Sequence, residues 1–108
     1  MATQPPERDW KYMRMVKEDL LATLCERVNG QAMDILKSEA NSEHEKYGHL
    51  YRHVKESDDI VADCFDDWRR STLLMKLLAL QRHGLLTSDH MQHLSGETQE
   101  RLKALKDF

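Results

Sequence analysis

A chain of 108 residues with a formal charge of -3 has the length of one domain, and it can bury roughly 60–70% of its unfolded surface without metal or disulfide staples. Its 16 basic and 19 acidic residues alternate without a long block of either sign, which excludes the basic footprint of a nucleic-acid binder. The 6 histidines would make the net charge positive if all were protonated, so surface behaviour is expected to change between neutral and mildly acidic pH.

Cys25 and Cys64 are the only cysteines. They are far apart, form no CxxC pair, and fall on or beside apolar helical faces, so they read as reduced core residues of a cytosolic protein. The amino-terminal stretch MATQPPERDW lacks an apolar signal core, and no leucine-rich run is long enough for a bilayer. The expectation is a soluble cytoplasmic protein with no membrane partner.

Pro5 and Pro6 are the only prolines, and leucine far outnumbers valine and isoleucine together, a balance that favours helix throughout. Residues 1–5 read as a disordered tail and residues 6–108 as a single helical domain, with Pro6 in or just before the first turn. A first helix is predicted from Glu7 to Val28, since Trp10, Met13, Val16, Leu20, Leu24 and Val28 recur at three- and four-residue spacing. Asn29-Gly30 is its expected stop.

A second helical region is predicted from Gln31 to about Glu56. Met33, Leu36, Ala40, Glu43, Tyr47, Leu50 and Val54 form a heptad-like seam with one acidic defect. Ser42 and Glu45 have capping-box spacing and Asn41 is a poor interior residue, so the region reads either as one helix or as two shorter ones broken near Asn41. A third helix is expected to start at Ser57 or Asp58 and to carry Ile60, Val61, Cys64, Phe65 and Trp68 on one face. It should continue through Leu73–Leu80 and end at Arg82, His83 and Gly84. Thr87 or Ser88 can then cap a short helix through Leu94, and Ser95 a last one with Leu102 and Leu105 inward. The expected fold class is therefore all-α: a small bundle of three long helices and one or two short carboxy-terminal ones.

The segment LLMKLLAL, Leu73 to Leu80, is apolar on nearly every side of a helix and so must be covered on nearly every side. One face of the third helix is enough to dock on the first two helices. Leu73, Leu74, Leu77, Leu78 and Leu80 are accordingly the candidate interaction residues, with a second copy as the preferred cover and a partner helix as the other.

Glu45, His49 and His53 follow at four-residue steps, a spacing that suits a divalent metal. They are expected on a solvated face away from Tyr47, Leu50, Tyr51 and Val54, without a second shell. Glu56, Asp59, Asp63, Asp66 and Asp67 form an acidic stripe of the kind that holds Mg²⁺ in helical phosphohydrolases. No matching acidic cluster exists on another helix, and Arg70 is placed to pair with Asp66. Leu80–Gly84 followed by Thr87 and Met91 has the outline of a helix-turn-helix. However, His90 and His93 take positions expected to face inward, and the second helix has no Lys or Arg. No catalytic, cofactor or metal residue is assigned, and Trp10, Trp68 and the methionines read as packing. The expected function is protein–protein association by a non-enzymatic helical protein, in homodimeric form. A metal-dependent phosphohydrolase-like enzyme using the acidic stripe, or a DNA-binding regulator, is the alternative.

Overall fold

The computed structural model describes residues 4–106, and among these there are five α-helices, one 3-10 turn and no strand. Helix α1 spans Glu7–Lys37, α2 Glu43–Phe65, α3 Leu73–Arg82, α4 Ser88–Gln92 and α5 Gly96–Lys106. The all-α expectation holds and the break near Asn41 is present, but no helix ends at Asn29-Gly30 or starts at Ser57, and the third helix is divided.

The amide of Asp9 donates to the Pro6 carbonyl at 3.0 Å, so Pro6 sits just outside the first turn of α1. Pro5, expected in the disordered tail, is fully buried and its carbonyl accepts from Arg70 Nε at 3.1 Å; residues 1–3 of that tail lie outside the described residues. The helix runs on through Asn29-Gly30. A glycine inside a helix costs about 1 kcal/mol, and here that is outweighed by Val28, Ala32 and Ile35, which are half-buried along the inner side of α1. The chain turns instead between Ser38 and Ser42. Ser42 Oγ accepts from Glu45 N–H at 3.2 Å, and Glu45 Oε1 accepts from Ser42 N–H at 2.9 Å, a complete capping box that starts α2.

Ser57 and Asp58 do not restart a helix; they lie inside α2, with Ser57 buried. The expected third helix is therefore divided. Its first face (Ile60, Val61, Cys64, Phe65) belongs to α2, and a turn at Asp66–Arg69 separates it from α3. Asp67 adopts a left-handed φ of 55°, an uncommon conformation outside glycine that aspartate tolerates better than most residues. Two contacts fix it: Arg69 forks onto its carboxylate at 2.6 and 2.8 Å, and Thr72 Oγ1 donates to its carbonyl at 2.6 Å. Arg70 is thereby directed to Pro5 and not to Asp66.

The stop after α3 is the expected one. Gly84 has φ 70°, and the Leu85 amide reaches back to the Leu80 carbonyl at 2.8 Å, closing the helix in a left-handed cap. Thr87 caps α4 through the His90 amide, and Ser95 caps α5 through the Thr98 amide.

The core occupies one end of the molecule. Met13, Leu20 and Leu24 from α1, Cys64 and Phe65 from α2, Leu73, Leu77, Ala79 and Leu80 from α3, and Leu85, Leu86, Leu94 and Leu102 beyond it form one cluster. Burial pushes the Cys64 thiol up to about 11, with the neighbouring Asp63 carboxylate adding to the rise. Cys25, expected in the core, is exposed, and so is Leu105.

Asp9 holds the two ends of this head together. Its side chain is fully buried, Oδ1 accepts from the Ser95 amide at 2.8 Å, and Oδ2 accepts from Ser95 Oγ at 2.8 Å and Thr98 Oγ1 at 2.6 Å. One carboxylate on the first turn of α1 thus satisfies the start of α5, where unpaired amides and the helix dipole favour an anion.

Two substitutions measure these contributions in urea unfolding. Leu77→Ala is expected to lower stability by about 2–5 kcal/mol. Asp9→Ala, which strands three donors in a dry site, should lower it by about 3 kcal/mol, whereas a loss under 1 kcal/mol would show that Asp9 is not a structural tie.

Candidate association surface

The long helices outrun the core. A 31-residue helix is about 46 Å long, but the buried residues of α1 end at Leu24 and those of α2 begin at Ser57. Between them residues 28–56 form a two-helix arm, which makes the molecule 57 Å long and only 25 by 22 Å across.

Inside the arm the helices touch along Val28, Ala32 and Ile35 on α1 and Lys46, Leu50 and His53 on α2, all half-buried. His53 Nε2–H donates to the Val28 carbonyl at 2.9 Å, and Lys46, whose Nζ pairs with Glu43 at 3.1 Å, lays its stem along the seam with its side chain only 15% exposed. This reverses one expectation: His53 points into the hairpin, and the Tyr47, Tyr51 and Val54 stripe points out of it.

That outward stripe does not stand alone. Met33 is five positions beyond Val28, and Tyr47, Tyr51 and Val54 are each one position beyond Lys46, Leu50 and His53. Net of whole turns, the first step turns about 140° and the others about 100°, in the same sense along each chain, and because the two helices are antiparallel, these turns lead to the same side of the hairpin. Met33, Leu36, Tyr47, Tyr51 and Val54 therefore share one face, with exposures from 51% for Leu36 to 68% for Tyr47. Towards the head the face continues as a shallow groove lined by Cys25, Val28, Asn29, Val54, Ser57, Asp58 and Val61. The opposite side of the arm carries Gln31, Asp34, His49, Arg52 and Glu56, all exposed.

Helix α3 packs on that opposite side. Arg27 Nη1 donates to the His83 carbonyl at 2.7 Å, Lys76 Nζ donates to the Asp63 carbonyl at 3.1 Å, and Arg82 and His83 each lie 3.4 Å from the Asp63 carboxylate. The apolar face is consequently flat and unobstructed by the head.

The five leucines expected to meet a partner have a different setting. Leu73, Leu77 and Leu80 have no exposure and are covered by the chain itself, while Leu74 and Leu78 are half-buried against the same cluster. Of their segment, Met75 is the exposed member. The chain supplies the cover because α5 reaches back across α3 while α2 packs on its other flank.

The other constellations are dispersed into structural roles. Glu45 is held by Ser42 and His53 by Val28; among the described residues no three histidine, cysteine, aspartate or glutamate side chains come together as a metal site. In the acidic stripe Asp63 pairs with Arg82 and Asp67 with Arg69, whose guanidinium holds the Asp67 carboxyl below the usual carboxylate range. His90 Nδ1 accepts from the Thr87 amide at 3.0 Å as part of its cap, and His93 stacks on Tyr12 with ring centres 4.8 Å apart. No helix among the described residues is long and apolar enough to cross a membrane. Comparison of the chain with protein-family models, with curated proteins and with solved structures finds no match.

The turn at the tip of the arm gives a pH-dependent test. Hydrogen bonds from the Ser42 backbone and side chain lower the Glu45 carboxyl below its ordinary value, so its support for the cap is present at neutral pH and disappears as acid protonates it in the folded chain. Ser42→Ala should cost about 1 kcal/mol at pH 7. Glu45→Ala removes the carboxylate that accepts from the Ser42 amide; its gap from the parent in thermal melts should narrow as the pH falls below the ordinary glutamate value of 4.5, and a gap independent of pH would contradict the capping role of Glu45.

Proposed function

We propose that this protein works by protein–protein association and without catalysis, and that its contact surface is the apolar face of the arm. The observation that carries this reading is the set of five large apolar side chains on one side of a two-helix projection, each more than half exposed, with Lys55 Nζ 5.4 Å from the centre of the Tyr51 ring. Isolated exposed leucines need no explanation, but a contiguous patch near the upper end of what monomers expose does. Two tyrosines and a methionine among the five are residue types enriched at interfaces.

The reading moves the association site from α3 to the arm and retains part of the heptad seam: Met33, Leu36, Tyr47 and Val54 belong to both. An arm built from two helices presents such residues at fixed spacing, the arrangement by which helices recognise other helices. Of the acidic stripe, by contrast, Asp67 is paired with Arg69 and Asp63 with Arg82 and His83, and among the described residues no group of carboxylates, histidines and cysteines converges as a metal site.

Photo-crosslinking in the cells that make the protein tests the surface without presupposing the partner. A benzophenone side chain at Tyr47 should give a discrete protein adduct, and the same group at His49 on the polar face should give at least tenfold less. Equal labelling from both positions, or none from Tyr47, would remove the arm as the contact surface.

A further inference from the structure

Resting on that reading, we infer that the occupant of the arm's apolar face is a second copy of this chain, packed face to face as a four-helix bundle. Three features of the face fit a copy of itself better than a single partner helix.

The first is breadth. A lone helix would lie in the groove between α1 and α2 and touch Cys25, Leu36, Tyr47 and Val54. Met33 lies about 140° round from Val28, and Tyr51 about 120° round from Ser57, so both lean past the groove onto the outer halves of their helices. A two-helix layer laid on the face reaches all five residues at once, and the face is itself such a layer.

The second is area. The five side chains expose on the order of 500 Å² per copy, so a symmetric pair with its polar rim reaches the roughly 1,000 Å² that a specific interface must clear. The third is charge. Glu26 and Lys37 flank the face along the outer edge of α1, and Lys55 flanks it along α2, all exposed. The His53 to Val28 hydrogen bond sets the register of the two helices. In that register, a two-fold axis across the arm at the level of Gln31 and Ala32, midway between the two residues, brings Glu26 opposite Lys37 of the other copy. A two-fold axis along the arm brings it opposite Lys55. Either isologous pairing sets unlike charges together, and α3 to α5, on the far side, obstruct neither.

The test is the mass of the full chain in solution, by light scattering with multi-angle detection over the micromolar range, together with circular dichroism. The parent protein should run at twice its chain mass of 12.7 kDa. Tyr51→Glu and Met33→Glu, both at exposed sites, should keep their helical spectra and weaken self-association at least tenfold, each running at the chain mass. Leu105→Glu, an exposed leucine in the head, should leave the dimer intact. A parent protein that stays at 12.7 kDa to several hundred micromolar overturns the inference. So does a dimer indifferent to both arm substitutions, which would be held by another surface. If the parent is monomeric while Tyr47 still crosslinks to a different protein, the partner assignment alone fails; if Tyr47 crosslinks to nothing, the association reading fails with it.

Discussion

The carboxylate of Asp9 has no access to water and receives three hydrogen bonds from the first residues of α5, and much of the rest of the molecule follows from where that places the carboxy-terminal helix. A buried anion is tolerated only when its lone pairs are satisfied, and the Ser95 to Thr98 turn is the partner that satisfies it. Locked to the beginning of α1, α5 lies across α3 and brings Leu102 into the cluster with Leu73, Leu77 and Leu80. The leucine-rich segment is thereby largely covered from within one chain; of the large apolar side chains left exposed among the described residues, Met15, Met75 and Leu105 are in the head and Met33, Leu36, Tyr47, Tyr51 and Val54 share one face of the arm.

Head and arm differ in how their helices are held. In the head, each helix buries a face against at least one other layer, as a small domain must. In the arm, two helices meet only each other, along a narrow seam of small, aliphatic and amphipathic side chains that includes one histidine and one lysine stem. A seam of that kind suffices to keep the helices in register but leaves each with a second apolar stripe. The local signals that would have ended α1 at Gly30 and α2 before Ser57 yield to this pairing, because each helix gains more from continuing along its neighbour than it loses at one unfavourable residue.

The helical class, the cap at Ser42 and Glu45, the stop at Gly84 and the cap at Ser95 were legible in the sequence because each is a local device whose residues are adjacent. The seam expected from Met33 to Val54 is broken up instead: the chain turns near Ala40, Leu50 faces into the hairpin, and Met33, Leu36, Tyr47 and Val54 are exposed. The Asp66–Arg69 turn was not legible, since its left-handed residue is an aspartate held by Arg69 and Thr72, with no glycine to mark it. Asp9 was equally silent: an acid in a first helical turn is ordinary, and its partners are 86 and 89 residues away. The leucines of α3 misled for the same reason. Periodicity counts apolar faces, but only tertiary contacts decide whether α5 or another molecule covers them.

The arm also divides the chain by stability. Among the described residues, none between Asn29 and Glu56 is fully buried, so the helical hydrogen bonds there are backed by little more than the hairpin seam, while those of the same two helices nearer the head are backed by the core. Helix α1 is one continuous rod to the eye and a graded one thermodynamically: its amides should exchange with solvent on the timescale of local opening at the far end and on that of global unfolding near Met13. Trp10 and Trp68 are both in the head, and Tyr47 and Tyr51 are both in the arm. Tryptophan emission from this chain consequently reports the head alone, and a fraying or newly ordered arm would leave it unchanged.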